Sequence, residues 1–151
     1  MTNNWSKSKI TNAVAECDRF IVQAKLDRLY NFFYYTIFTK SLDEGNKLVG
    51  DLSKQLKLID SNNGDTFEVV GQSFLPKKIR FLRIRMPDDT ETEIAADVLG
   101  ENIDNVIAQL KDLSISFEII NRPDNKMLRI LSANKRVAIY FPEKHFLNDL
   151  A

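Results

Sequence analysis

Residues 10–38 read ITNAVAECDRFIVQAKLDRLYNFFYYTIF, and the predicted fold is organised around this stretch. On a helical wheel of about 100° per residue, an apolar stripe runs from Ile10 to Ala24, which is typical of an amphipathic helix. A second stripe begins about half a turn away. Its members are Val22, Leu26, Leu29, Phe33 and Ile37. We therefore expect a long N-terminal helix, continuous or broken near 24–27, whose second half needs cover on two sides.

A second helix is predicted to begin at Ser41. Ser41 and Glu44 form the Ser-x-x-Glu pattern, in which the serine side chain caps the free N–H groups of the first helical turn. Apolar residues keep helical spacing as far as Ile59, and the turn-forming sequence 60–65 follows. We expect the two helices to pack as an antiparallel hairpin.

After residue 65 the apolar period changes from helical to two-residue, which predicts a sheet. Strands are expected at 66–71, 78–86, 91–97, 115–121, 127–131 and 136–141, with a helix at 102–113 and a final short helix at 143–150. A bulge near Phe81 would reconcile the irregular pattern of the second strand. A hairpin between the next two strands would place Ile84 opposite Ile94 and Arg85 opposite Glu93.

The predicted fold class is α+β. It comprises the helical hairpin, a mostly antiparallel sheet of about five or six strands in the order βββ-α-βββ, and a short C-terminal helix. We expect a single domain over residues 1–151, with a helical half at 1–61 and a sheet half at 65–151. The order of elements resembles that of secretion-chaperone-like domains, small dimeric proteins that hold partner chains. The helix at 42–59 and the neutral charge balance depart from that pattern.

The charge composition indicates no partner that would be attracted by the net charge of the protein. Lys plus Arg number 21 and Asp plus Glu number 21, so the whole molecule has no field that attracts nucleic acid or an anionic membrane. The lone cysteine, Cys17, excludes an intramolecular disulfide and suits a reducing compartment. No apolar run reaches the roughly 20 residues needed to span a bilayer. We therefore expect a cytoplasmic protein with no membrane contact.

The sequence contains no familiar catalytic or cofactor-binding pattern. The sole histidine, His145, is far in sequence from Cys17, so neither a Cys-His pair nor a metal-ligand cluster is indicated. The five glycines form no phosphate-binding loop. We expect no catalytic residue, metal or cofactor, although sites built from scattered Asp, Glu and Lys leave no sequence signal.

Two alternatives rest on charged residues. A basic strand face would bind nucleic acid by tracking phosphates, unless Glu91 and Glu93 on the next strand neutralise it. Its members are Lys77, Lys78, Arg80, Arg83 and Arg85. A small metal-dependent nuclease is the second alternative, because Asp88 and the stretch 124–126 resemble a carboxylate followed by Asp-x-Lys. Both pieces lie in predicted turns.

The function predicted first is that of a non-enzymatic protein-binding module, of a regulatory, chaperone-like or inhibitor type. It would act through the long N-terminal helix, whose aromatic residues suit an interface. The predicted partner-binding residues are Leu26, Leu29, Tyr30, Phe33, Tyr34 and Ile37. The expected partner is another protein or a second copy of the chain in a homodimer.

Overall fold

The computed structural model describes residues 2–30, 32–61, 64–69, 80–85, 92–98, 101–121, 123 and 126–142, without the side chains of 2–7, 32–34 and 60. It contains helices α1 (Thr2–Gln23), α2 (Leu42–Ser53) and α3 (Ile103–Asp112), and a 3-10 turn at Leu26–Arg28. Its strands are β1 (Phe32–Phe38), β2 (Lys57–Asp60), β3 (Asp65–Glu68), β4 (Phe81–Arg85), β5 (Ile94–Val98), β6 (Glu118–Asn121), β7 (Lys126–Leu131) and β8 (Val137–Pro142).

The described strands form one eight-stranded sheet in the order β2-β3-β4-β1-β5-β8-β7-β6. The sheet consists of two β-α-β-β-β modules, module 1 at residues 32–85 and module 2 at residues 94–142. In each module the first strand runs parallel to the last, and the other pairs are antiparallel. The first strands of the two modules, β1 and β5, pair antiparallel and join the modules.

The helices of the two modules begin in the same way. The Ser41 hydroxyl accepts a hydrogen bond from the Glu44 backbone N–H at 3.1 Å, and the Asn102 side chain accepts one from the Asn105 N–H at 3.1 Å. Each cap satisfies a backbone donor that the first helical turn leaves free. The cap predicted at Ser41 is therefore confirmed. The predicted continuation to residue 59 is wrong, because α2 ends at Ser53 and β2 follows.

All three helices pack on one face of the sheet, which we call the helix face. Tyr35 and Ile37 of β1 lie on it, together with every second residue of the neighbouring strands. Helix α1 contacts β1, β5 and β8, and therefore spans both modules. Its buried residues are Ile10, Val14, Cys17 and Ile21. This face holds most of the apolar core.

The second half of the predicted N-terminal helix is a strand. Helix α1 ends at Gln23 and Lys25 adopts a left-handed φ of 62°, so of the two alternatives left open the helix is not continuous. The aromatic and β-branched residues that follow favour a strand. Since Tyr35, Thr36 and Ile37 are each at most 1% exposed, both faces of β1 are buried. A strand buried on both faces shows no two-residue alternation of apolar and polar residues. For that reason the sequence of β1 also fits a helix that is apolar on two sides, which is the wrong prediction made above.

The predicted fold class is wrong. Helices α1 and α2 do not follow one another as a hairpin, because β1 lies between them, and the sheet is mixed rather than mostly antiparallel. Ile84 and Ile94 are not neighbours, since each pairs with Ile37 on the inserted strand β1. The pairing of β4 shows no bulge. The helix predicted at 143–150 lies outside the described residues, among which no helix has the length and hydropathy of a membrane span.

Candidate functional site

The sheet face opposite the helices carries buried polar groups at its centre, and we call it the polar face. Thr36 and Thr66 are 0% exposed, Asp97 is 4% exposed and Arg83 is 6% exposed. Strand residues alternate between the two faces, so these four side chains lie opposite those of Tyr35, Phe67, Ala96 and Leu82. Buried polar and charged groups are costly unless they are hydrogen-bonded or paired, which makes this cluster a candidate site.

The polar groups of module 1 form a row, the Thr36 row. Strand register places Thr36 beside Arg83, and Arg83 beside Thr66. The Arg83 Nε–H donates to the Thr36 hydroxyl oxygen at 3.2 Å. The Thr66 hydroxyl has no hydrogen-bond partner among the described residues. An unsatisfied buried hydroxyl costs about 1–3 kcal/mol, so its presence calls for an explanation.

The polar groups of module 2 form the Asp97 row. Register places Asp97 beside Tyr140, Tyr140 beside Arg129, and Arg129 beside Glu118. The Arg129 Nε–H donates to a Glu118 carboxylate oxygen at 2.5 Å. Burial opposes the charge of Arg129, but hydrogen bonds with Tyr140 and Glu118 outweigh it and raise the pKa of the guanidinium. Solvent exposure increases along this row, because Asp97 is buried whereas the Glu118 side chain is 47% exposed.

The two rows begin at equivalent positions and meet at the junction of the modules. Thr36 lies five residues before the cap Ser41, and Asp97 lies five residues before the cap Asn102. Thr36 pairs with Ala95, so Thr36 and Asp97 are diagonal neighbours, roughly 7–8 Å apart. An apolar cluster lies on the same face, formed by Phe38, Ala95 and Ala138 with Leu131 and Tyr140 packed against it. The junction thus combines a guanidinium, a carboxylate, hydroxyls and apolar surface.

The described residues of the polar face do not fit a divalent metal. No group of three or more His, Cys, Asp or Glu side chains converges among them. Asp97 and Glu118 are three strands apart, about 14 Å at the usual strand spacing, and Glu118 is already bound by Arg129. The guanidinium of Arg83 would repel a cation beside Thr36. Divalent metals need several converging oxygen, nitrogen or sulfur ligands, which this arrangement does not provide.

The residues predicted to bind a protein partner do not share one surface. Leu26, Tyr30 and Ile37 are buried in the helix-face core at 0%, 4% and 1% exposure. Leu29 is 42% exposed. Phe33 and Tyr34 belong to β1, and their side chains lie outside the description.

The predicted basic strand face is divided by the structure. Arg83 is buried in the polar face, whereas the guanidiniums of Arg80 and Arg85 stack over the rings of Phe81 and Phe38 at 5.3 and 5.6 Å. Lys77 and Lys78 lie outside the described residues, as do Asp88, Asp124 and Asn125 of the nuclease hypothesis. The predicted register with Arg85 opposite Glu93 is wrong, because β1 lies between the two strands and Arg85 pairs with Phe38. Glu93 forms an ion pair with Arg136 at 2.6 Å.

Sequence reasoning missed most of the polar face. Thr36, Thr66, Asp97 and Tyr140 were not predicted as site residues, and Arg83 was predicted for a different function. The available signal was the placement of polar residues inside apolar strand segments, as in 34–38 and 94–98. In a strand covered on both faces, a polar residue is either a structural partner or part of a site.

The fold is a paired β-α-β-β-β sheet with a polar junction. No family model matches the chain, and no curated protein matches it in sequence. The NAD-dependent benzaldehyde dehydrogenase from Legionella pneumophila has a similar structure, with a TM-score of 0.50 at 10% identity over 73% of this chain and 98% of that chain. This similarity shows a shared fold.

Two other solved structures are similar at lower scores. Methylmalonyl-CoA epimerase from Mycobacterium tuberculosis has a TM-score of 0.45 at 14% identity, covering 80% of this chain and 92% of that chain. A glyoxalase/bleomycin resistance protein/dioxygenase superfamily member from Vibrio splendidus 12B01 has a TM-score of 0.40 at 7% identity, covering 72% of this chain and 95% of that chain.

These findings correct the predicted function. The non-enzymatic, regulatory or chaperone-like binding module depended on a helix apolar on two sides, and β1 occupies that part of the chain. The nucleic-acid alternative depended on a solvent-exposed strand face, and Arg83 is 6% exposed. The similar structure from Legionella pneumophila carries the name of an enzyme, so the expectation that the chain is more likely not an enzyme has no support from its fold.

Proposed function

We propose that this chain is an enzyme that binds a small organic molecule on the polar face, where the Thr36 row and the Asp97 row meet. The observation that carries the proposal is the burial of a guanidinium, a carboxylate and two hydroxyls on the face that the three described helices leave uncovered. Sites for small molecules combine apolar surface with a few buried polar groups in this way. The cytoplasm remains the proposed location, which a lone reduced cysteine suits.

The two rows suit different tasks. Arg83 offers a fixed cation for binding a substrate, and the apolar cluster offers a surface for the remainder of the molecule. Asp97 is the proposed catalytic residue, acting as a general acid or base, because its buried carboxylate lies at the junction beside Tyr140. Burial strengthens electrostatic effects on a bound molecule, since the local dielectric constant is below that of water.

Binding can be tested by NMR with methyl-labelled protein and a panel of small aldehydes, organic acids and acyl thioesters. The panel includes benzaldehyde with NAD and methylmalonyl-CoA, after the names of two similar structures. The methyl groups of Thr36 and Ala95 report the polar face, and those of Ile37 and Ile94 report the helix face. We expect a bound compound to shift the first pair more than the second. Shifts confined to Ile37 and Ile94 would contradict the proposed site.

Catalysis is tested on any bound compound that is turned over. Asp97→Asn keeps the shape of the side chain but removes its capacity for proton transfer, so we expect turnover to fall about 10²- to 10⁴-fold. Asp112→Asn at the exposed end of α3 makes the same chemical change away from the polar face and should leave turnover unchanged. Equal turnover of Asp97→Asn and the unaltered protein would remove Asp97 from the mechanism.

A further inference from the structure

We infer that the Thr36 row recognises the anionic group of an organic acid, a carboxylate or phosphonate, through Arg83 and Thr66. The inference rests on the proposed function, since it names the substrate class for the same site. It also gives the row a chemistry that needs no metal, in keeping with the absence of a converging ligand set among the described residues.

Arg83 is suited to an anionic group by its chemistry and its fixation. A guanidinium has five N–H donors in a rigid planar fork that matches the paired oxygens of a carboxylate or phosphonate. Thr36 accepts the Nε–H at 3.2 Å and thereby fixes the plane of the group. At 6% exposure, the cation lies where its attraction for an anion is weakly screened. The row therefore presents an oriented positive charge.

Thr66 supplies a second, independent observation. Its hydroxyl lies next to Arg83 in the strand register, is 0% exposed and has no partner among the described residues. A valine would fill the same space without an unsatisfied hydroxyl, so the threonine weakens the fold at this position. An anion bound by Arg83 would supply an acceptor for the Thr66 O–H. One bound anion would thus accept from Thr66 and contact the guanidinium of Arg83.

The residues at the other end of the row indicate that the remainder of the ligand is apolar. Beyond Thr36, the register continues through Ala95 and Ala138 to Leu131. The row is therefore cationic at one end and apolar at the other. It matches a molecule with one anionic group and an apolar body better than an inorganic anion or a polyanion. Entry is expected from the side of Tyr140 and Arg129, which are partly exposed.

The test compares benzoate and phenylphosphonate with benzamide, which has the size of benzoate but no charge. Binding is followed by the methyl shifts of Thr36 and Ala95 in the unaltered protein. We expect at least one of the anions to bind tenfold or more tightly than benzamide. Arg83→Gln should abolish this preference. Arg19→Gln is the matched control, because Arg19 is exposed on α1, on the opposite side of the sheet, and it should preserve the preference.

Thr66→Val distinguishes a binding role of the Thr66 hydroxyl from a structural one. It also tests the anion site if Arg83→Gln does not fold. Loss of one hydrogen bond to a charged group should weaken binding of the preferred anion roughly tenfold. The same change should raise the melting temperature without a probe, because it removes an unsatisfied hydroxyl. A purely structural threonine would give the opposite pattern, a lower melting temperature with unchanged affinity, and that result would overturn the inference.

Failure of the inference is distinguishable from failure of the proposed function. If neither benzoate nor phenylphosphonate binds more tightly than benzamide, or if none of the three probes shifts the polar-face methyls, the anion assignment is overturned. The proposed function survives that result if another compound of the panel shifts the methyls of Thr36 and Ala95 and its turnover depends on Asp97.

Discussion

Modules 1 and 2 share one backbone topology but fill equivalent helix-face positions with unlike side chains. Tyr35 lies six residues before the cap Ser41, Ala96 lies six before the cap Asn102, and the two are paired across the junction. The Tyr35 hydroxyl donates to Asp18 of α1, whereas Ala96 presents a methyl group where α1 contacts β5. One N-terminal helix therefore packs on a large side chain in module 1 and a small one in module 2. Because α1 contacts strands of both modules, we expect it to stabilise them as one unit.

The polar face differs between the modules in burial as well as in chemistry. The Thr36 row holds a cation and two hydroxyls that are almost wholly covered, while the Asp97 row starts at a buried carboxylate and ends at an exposed one. The equivalent strands of the two modules thus place the guanidinium that we propose for binding and the carboxylate that we propose for proton transfer on either side of one junction. Substitutions in each module can show how far the modules depend on each other.

The largest effect is expected from Leu82→Ala in module 1 and Ile139→Ala in module 2. Both side chains are 0% exposed on the helix face, in the last strand of their modules, so each change leaves a cavity and should cost about 2–5 kcal/mol of unfolding free energy. Urea denaturation measures both. Leu58→Ala on β2 is the control, since Leu58 is 46% exposed and should cost much less. A cost near zero at one position alone would mean that its module is not part of the cooperative unit.

The strand β1 explains why the two modules could not be predicted from the sequence. Half-buried strands alternate apolar and polar residues, but β1 is central and covered on both faces, so its pattern also fits a helix. The cap at Ser41 and the helix α3 depend on local chemistry and were predicted close to their observed positions. The pairing of β1 between β4 and β5 depends on contacts between residues about 50 apart, which local patterns do not encode.

The candidate site shows the same limit. Thr66 and Arg83 come from different strands, and only the register of β3 on β4 places them side by side. The sequence predicted Arg83 as part of an exposed basic surface. The structure instead buries Arg83 on the polar face, within the candidate site. The expected homodimer stays a prediction, which light scattering in solution would test.

A second prediction asks whether α1 needs the small side chain of module 2. Ala96→Leu adds three carbon atoms at a position that is 0% exposed, where α1 contacts β5, and overpacking should cost about 1–3 kcal/mol. Ala108→Leu makes the same change on the exposed side of α3 and should have little effect. Thermal and urea unfolding of both variants give the comparison. Equal stability of the two variants would show that α1 does not constrain module 2.

A third prediction removes the contact between α1 and the tyrosine of module 1. Tyr35→Phe deletes the hydroxyl that donates to Asp18, which should cost about 1 kcal/mol at neutral pH. Burial raises the pKa of Tyr35 above its ordinary value of 10.0, and Cys17 and Asp18 raise it further. Such a group stabilises the fold below the unfolded pKa and loses that contribution as pH rises toward the folded pKa. The advantage of tyrosine over phenylalanine should therefore shrink above about pH 10.

Urea unfolding of both proteins at pH 8 and pH 11 measures that difference. If the difference in unfolding free energy between the unaltered protein and Tyr35→Phe is the same at pH 8 and pH 11, burial under α1 does not raise the pKa of the Tyr35 phenol.

The smallest effect is expected at the end of the junction, where Glu93 links the modules. Its carboxylate binds Arg136 of module 2 at 2.6 Å and lies 3.6 Å from Lys40 of module 1. The hydrogen bond from Arg136 lowers the pKa of Glu93 below its ordinary 4.5 although burial opposes it, and the charges of Arg136 and Lys40 lower the pKa further. Its contribution is therefore present above about pH 4.5 and lost as pH falls through the folded pKa.

Glu93→Gln should lower the melting temperature slightly at pH 7, and this loss should diminish as pH falls below about 4.5 toward pH 3. The effect is small because exposed ion pairs are screened by solvent, and added salt should reduce it further. Glu101→Gln, an exposed position before α3, controls for the general effect of removing a carboxylate. An equal loss at pH 7 and at pH 3 would mean that Glu93 joins the modules through packing rather than charge, because protonation weakens the ion pair but does not alter the packing.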